Sequence, residues 1–298
     1  MRALLAIVLV AACGDDGGHA TDGGADAAAL DALPDAAPVT CTTKPDETTT
    51  GIPAGAQLSE IDGDVTVTTD GTVIEEQDIH GFLRIQANNV VVRDSVIRGT
   101  ATDATTAILR IDSGTNILVE DTEIAVTTPS VDVDGIWAAN ATIRRVHIHG
   151  GVDGMKASDN TIVECSYIHD LVEFDSDPNQ NGGPTHNDAI QILDGAHIEI
   201  SHNQLTAAMS DNSAIQVTQD FGPVSDLLIH DNWSDGGGCT FNFSHKGGDS
   251  LAVTTRDNRF GRNSFFDCPI LESTQTTLDH MGDVWDDDGT PVPIQTHD

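Results

Sequence analysis

From about Ile52 onward the chain repeats itself, most clearly from residue 88, and that repeat restricts its folding more than any other feature. Seven units of nine or ten residues recur: NNVVVRDSVI (88–97), TNILVEDTEI (115–124), NATIRRVHI (140–148), NTIVECSYI (160–168), AHIEISHNQL (196–205), SDLLIHDNWS (225–234) and LAVTTRDNRF (251–260). They align on Ser95, Thr122, Val146, Ser166, Asn203, Asn232 and Asn258. Three residues earlier stand Val92, Val119, Ile143, Val163, Ile200, Ile229 and Thr255; two residues later stand Ile97, Ile124, Ile148, Ile168, Leu205, Ser234 and Phe260. Alternation within each unit has a period of two, the pattern of a strand with one buried face. Successive units lie 27, 24, 20, 37, 29 and 26 residues apart, with no helical segment between them. One coil of this length cannot bury its apolar face alone, so stacked coils must share a core. The pattern predicts an all-β solenoid, a single-stranded parallel β-helix, over residues 51–298.

A second column supports this independently: DGIWA (134–138), DGMKA (153–157), DAIQI (188–192), SAIQV (213–217), CTFNF (239–243) and CPILE (268–272). Ile136, Met155, Ile190, Ile215, Phe241 and Ile270 are expected to stack inward. Trp137, Lys156, Gln191, Gln216 and Asn242 then point outward in a row. A β-propeller is the competing architecture, but no blade motif recurs, and aromatics are only 4% of the chain.

Residues 1–12 read as a signal peptide: Arg2 precedes an apolar run ending at Ala12, too short to span a bilayer. Val10-Ala11-Ala12-Cys13 resembles the bacterial lipobox, which makes Cys13 the expected lipidation site. Residues 13–50 are poor in apolar periodicity and rich in Gly, Ala, Asp, Pro and Thr, the composition of a disordered tether. The expectation is an exported protein, lipid-anchored to the cell envelope or secreted, with no other membrane contact and monomeric.

The formal charge is −35, from 48 acidic and 13 basic residues. Residues 14–50 carry −7 of it and residues 51–298 carry −29, so the acidity belongs to the folded part. Such a surface has no broad basic patch with which to neutralise phosphates, which argues against nucleic acid as a partner.

Cys239 and Cys268 occupy the same position in consecutive coils. Neighbouring strands lie about 4.8 Å apart, within reach of a disulfide, so a bridge is expected there, two stacked thiols being the alternative. Cys41 and Cys165 remain, paired only by elimination. No pair has the spacing of a zinc site.

Asp134, Asp153 and Asp188 recur one coil apart at the edge of the second column. Carboxylates so spaced repel unless protonated or bridged by a cation, and Ca²⁺ prefers clustered hard oxygens. The alternative is that they cap turns, with Lys156 as their counter-ion. Lys156 and Lys246 are the only lysines after residue 50. The longest gap between units holds VEFDSDPNQNGGPTH (172–186), a polar insertion ending at His186. Arg256, Arg259 and Arg262, with His245 and Lys246, form a basic cluster that reads either as uronate recognition or as counter-ions to local acids. His147, His149, His169, His197, His202 and His230 fall at positions that differ from unit to unit, which reads as ordinary surface histidine.

THNDAIQI (185–192), IEISHNQL (198–205), QDFGPVSDLLIHDNW (219–233) and DNRFGR (257–262), with the Asn203–Asn232–Asn258 column, carry a further resemblance. Over roughly residues 60–280 the chain resembles bacterial exported right-handed β-helix proteins related to the pectate-lyase-like superfamily. The resemblance implies a carbohydrate-active protein, with polysaccharide as partner. It implies a lyase cleaving uronate glycan by β-elimination, with Lys156 as base and His186 assisting the leaving group. Asp134, Asp153 and Asp188 would then hold Ca²⁺, and Gln191, Gln216, Asn242, Lys246 and Arg256 would bind substrate. A non-catalytic surface module that binds glycan or protein is the alternative. A glycoside hydrolase, with Asp153 and Asp188 as the carboxylate pair, is the second.

Overall fold

A computed structural model describes residues 41–207, 213–243 and 250–297. The proposed signal peptide, Cys13, most of the tether and Lys246 lie outside the described residues. Within Cys41–Asp298, which forms one compact unit, the regular structure among the described residues is all β apart from one turn of 3₁₀ helix at Pro178–Gln180.

Three parallel sheets run the length of the solenoid. The first has ten strands among the described residues, from Ser59–Asp62 to Val284–Trp285. The second has ten, from Val65–Val67 to Ile294–His297; the third has nine, from Val73–Glu75 to Thr276–Met281. Each strand pairs with the strand three elements along, so one coil visits the three sheets in turn. Parallel crossovers of this kind are right-handed. The molecule is a right-handed parallel β-helix.

Each repeat unit, read from sequence as one strand, is two. It is a third-sheet strand and a first-sheet strand meeting at a corner, as in Ala141–Arg144 followed by His147–His149. The residue before each aligned position is left-handed: Asp94, Asp121, Arg145, Cys165, His202, Asp231 and Asp257 have φ between 46° and 57°. Asp and Asn tolerate this region better than most residues because a short polar side chain can bond locally. The aligned residues themselves point inward at the corner and are fully buried, as are the positions three before them.

The asparagine column is a hydrogen-bonded ladder. Asn232 Oδ1 accepts from Asn203 N and Nδ2, both at 3.0 Å, and Asn232 Nδ2 donates to Ile200 O at 2.9 Å. Asn258 repeats the arrangement one coil on, and Asp283 ends it by accepting from Asn258 N and Nδ2. Where the aligned residue is Ser166 instead, its hydroxyl accepts from Val146 N at 3.0 Å. Buried corner amides are thereby satisfied coil by coil.

In the second sheet Ile136, Met155, Ile190, Ile215, Phe241 and Ile270 stack in register and are fully buried. Cys239 and Cys268 are paired in register and bridged, with a Cα separation of 4.6 Å. Cys41 is bridged to Cys165, Cα atoms 5.8 Å apart. This corrects the tether boundary. Residues 41–50 lie against the first sheet, with Pro45 and Thr50 buried and the amide of the next residue, Gly51, donating to Arg145 O at 2.8 Å.

Candidate functional site

The second sheet carries an outward column that runs unbroken through its register: Arg84, Arg110, Trp137, Lys156, Gln191, Gln216 and Asn242. The alternation that turns Ile136 and Met155 inward turns their neighbours Trp137 and Lys156 outward. Arg110 and Lys156 flank the Trp137 ring, the guanidinium carbon 5.0 Å and the ammonium 5.9 Å from its centroid. Arg84 and Arg110 share Asp112 as counter-ion.

Lys156 lies between two carboxylates. Its ammonium donates to Asp134 Oδ2 at 2.5 Å and to Asp153 Oδ2 at 2.6 Å, while Trp137 Nε1 donates to Asp134 Oδ2 at 2.6 Å. Both carboxylate side chains are 7% exposed, against 27% for Lys156. Burial pushes the Asp134 carboxyl up to about 6, and nearby Asp153 adds to the rise against the opposing pull of Lys156. For Lys156 burial pulls downward, but Asp153 and Asp134 together outweigh it and hold the ammonium above the ordinary lysine value. In this arrangement Lys156 is a firmly protonated counter-ion rather than a free amine.

The aspartates also cap the edge of the sheet. Asp153 Oδ1 accepts from Asp188 N and Asp188 Oδ1 accepts from Ser213 N, each at 2.9 Å, and Asp188 Oδ2 accepts from Gln191 Nε2 at 3.2 Å. Ca²⁺ needs six to eight oxygens with free lone pairs. Here the lysine ammonium, the indole N–H, an amide side chain and two backbone amides are directed at those oxygens. The three aspartates do not fit the calcium cage expected of them.

The remaining sequence-nominated residues separate. Gln191 and Asn242 are half-buried on the column, and Gln216, buried, accepts from Ser213 Oγ at 3.2 Å. His186 is exposed, flanked by the buried Thr185 and Asn187, and among the described residues no contact joins it to Lys156. The insertion that precedes it is pinned: Asp177 caps the 3₁₀ turn, and Asn179 Nδ2 reaches Asp132 Oδ1 at 3.3 Å. Arg256 does not belong with the column. It ends the third-sheet strand Leu251–Arg256 and pairs with Asp279 at 2.5 Å, the counter-ion alternative for that cluster.

Arg84 and Arg110 escape the sequence reading although a signal exists. Leu-Arg-Ile occurs at 83–85 and again at 109–111, and the two triplets pair residue for residue one coil apart.

The fold and this face define a β-helix with an open polar sheet surface. No protein-family model matches the chain, and no curated protein matches it. Among solved structures it is similar to the crystal structure of pectate lyase Pel9A, over 79% of this chain and 82% of that one, with 10% identity and a TM-score of 0.43. That likeness concerns the path of the backbone alone.

Proposed function

We propose that the protein is a carbohydrate-active β-helix that binds acidic polysaccharide along the outer face of its second sheet. The register of the column carries this reading: two arginines, a tryptophan, a lysine and three side-chain amides stand in consecutive coils about 4.8 Å apart. An extended glycan laid along the solenoid axis meets an accessible side chain at each of these coils except that of the buried Gln216. Indole offers an apolar ring face, guanidinium forks pair with carboxylates, and amides serve hydroxyls. Two disulfides support an oxidising compartment. With the lipobox-like Val10–Cys13, they favour export and a lipid anchor at Cys13.

β-Elimination by Lys156 is the second reading, favoured by its place on the same column. It requires the amine to lose its proton, and Asp134 and Asp153 oppose that loss. A bound uronate would first have to displace them.

Titrating polygalacturonate and a neutral glucan into the purified protein, with and without EDTA, tests both readings. Tighter binding of the uronate, unaffected by EDTA, is expected. Replacing Arg84 and Arg110 together by Ala should weaken it about tenfold, roughly 1.4 kcal/mol, and Trp137→Ala should weaken both ligands. Unsaturated product that disappears in Lys156→Ala would shift the reading to a lyase. No affinity for either polymer would overturn the proposal.

A further inference from the structure

We propose that the outer face of the first sheet holds a divalent transition-metal site built from Glu123, His147 and His149, with His169 beside it. His149 and His169 each stand three residues after an aligned position, and Glu123 and His147 one residue after; the register brings the two pairs together. Glu123 pairs with His147, and His149 with His169, in the consecutive strands Glu123–Ala125, His147–His149 and Tyr167–His169. Three coils therefore present the three ligands and His169 on one patch.

The donor atoms converge. His147 Nε2 lies 2.7 Å from His169 Nε2, and His149 Nε2 lies 3.0 Å from Glu123 Oε1. One donor atom each from Glu123, His147 and His149 falls within a mutual span of 4.8 Å. An ion about 2.0–2.1 Å from each nitrogen holds neighbouring ligands about 3 Å apart, close to what His149 and Glu123 already show. Imidazole and carboxylate together suit Zn²⁺, Cu²⁺ or Ni²⁺ rather than Ca²⁺ or Mg²⁺.

The surroundings orient the donors. His169 Nδ1 lies 3.0 Å from Asp170 Oδ2 and its Nε2 faces His147 Nε2, so His169 orients His147 rather than offering a nitrogen of its own. Tyr167 stacks on His169 at 4.0 Å between centroids. Gly51 covers His147 so closely that a Cβ there would stand 3.0 Å from His147 Cβ. Arg98, the nearby cation, is forked onto Asp78 at 2.7 and 3.1 Å and does not occupy Glu123. By contrast, in the group His202, His230 and Asp231, both ring nitrogens of His230 are taken, by Asp231 at 2.8 Å and Glu199 at 3.2 Å.

Calorimetric titration of the untagged full-length protein with ZnCl₂ and with CuCl₂ tests the site. One ion per chain is expected, with affinity reduced at least about tenfold in His147→Ala and in His149→Gln, and unchanged in His230→Asn and His186→Asn. Glu123→Gln, which keeps shape and removes charge, should weaken binding with no change in the circular-dichroism spectrum. Equal affinity in the His149→Gln and Glu123→Gln proteins would overturn the assignment. So would loss of the ion in His230→Asn alone.

Discussion

Replacing Lys156 by Met is expected to destabilise the protein by about 3–5 kcal/mol at pH 7.5, because it leaves two buried carboxylates facing each other without their counter-ion. Urea denaturation measures the loss as a lower midpoint at unchanged slope. The pH dependence distinguishes this from simple loss of packing. Asp134 is raised in the folded state to about 6, chiefly by burial. A group raised on folding contributes stability in full below its unfolded value, 3.8, and that contribution is lost as pH rises through the folded value. Removing the ammonium raises Asp134 further. The deficit of the variant should therefore be greatest above pH 7 and shrink towards pH 5. Adding Asp134→Asn and Asp153→Asn to Lys156→Met should recover most of it, since an amide oxygen still accepts from Asp188 N. A deficit below about 1 kcal/mol at pH 7.5, less than any broken buried pair, or one that grows on acidification, would show that the triad is not an ion-pair device.

The second large effect lies inside the corner ladder. Asn232→Leu keeps the volume roughly but removes the acceptor for Asn203 N and Nδ2 and the donor to Ile200 O and His230 O. Each buried polar group left alone costs about 1–3 kcal/mol, so a total near 4 kcal/mol is expected. Asn232→Ser should lose about half as much, because Ser166 already serves an equivalent corner with its hydroxyl. Hydrogen exchange supplies an independent readout: the Asn203 and Asn232 amides should lose protection before those of the Glu120–Arg144 coil. Equal losses for Leu and Ser would mean that shape, not hydrogen bonding, sets the corner.

The core was legible in the sequence because a period-two pattern leaves little choice about which side chains face inward. The corners were legible only in part. Counted from the aligned residue, buried positions fall at five and three before, then at zero and two after. The phase slips by one between Val92 and Ser95, and likewise between Ile143 and Val146. A continuous strand cannot do this, and the left-handed Asp94 and Arg145 are where the chain turns. The site was harder to read. The acid column and its scarce lysine were visible, but whether a cation or Lys156 neutralises them depends on where a long flexible side chain ends. For Arg256 the two readings left open, uronate recognition or counter-ion, could be separated only by its partner, Asp279. The histidines looked scattered although His149 and His169 share one place in the repeat, because the other four stand elsewhere in it.

The left-handed corners also bear on what the acidity means. Asp94, Asp121, Asp231 and Asp257 sit where the left-handed backbone favours a short polar side chain, although Arg145, Cys165 and His202 also occupy it. Asn89, Asn116, Asn140 and Asn160 fill the corresponding place at the other end of the third-sheet strands. Asp and Asn are close to interchangeable at such positions, so each corner sets charge independently of fold. A lineage carrying this solenoid can move several units towards neutrality, or away from it, without disturbing a single core contact. Electrostatic repulsion of a polyanionic ligand is then an adjustable property of the scaffold, tuned one amide at a time.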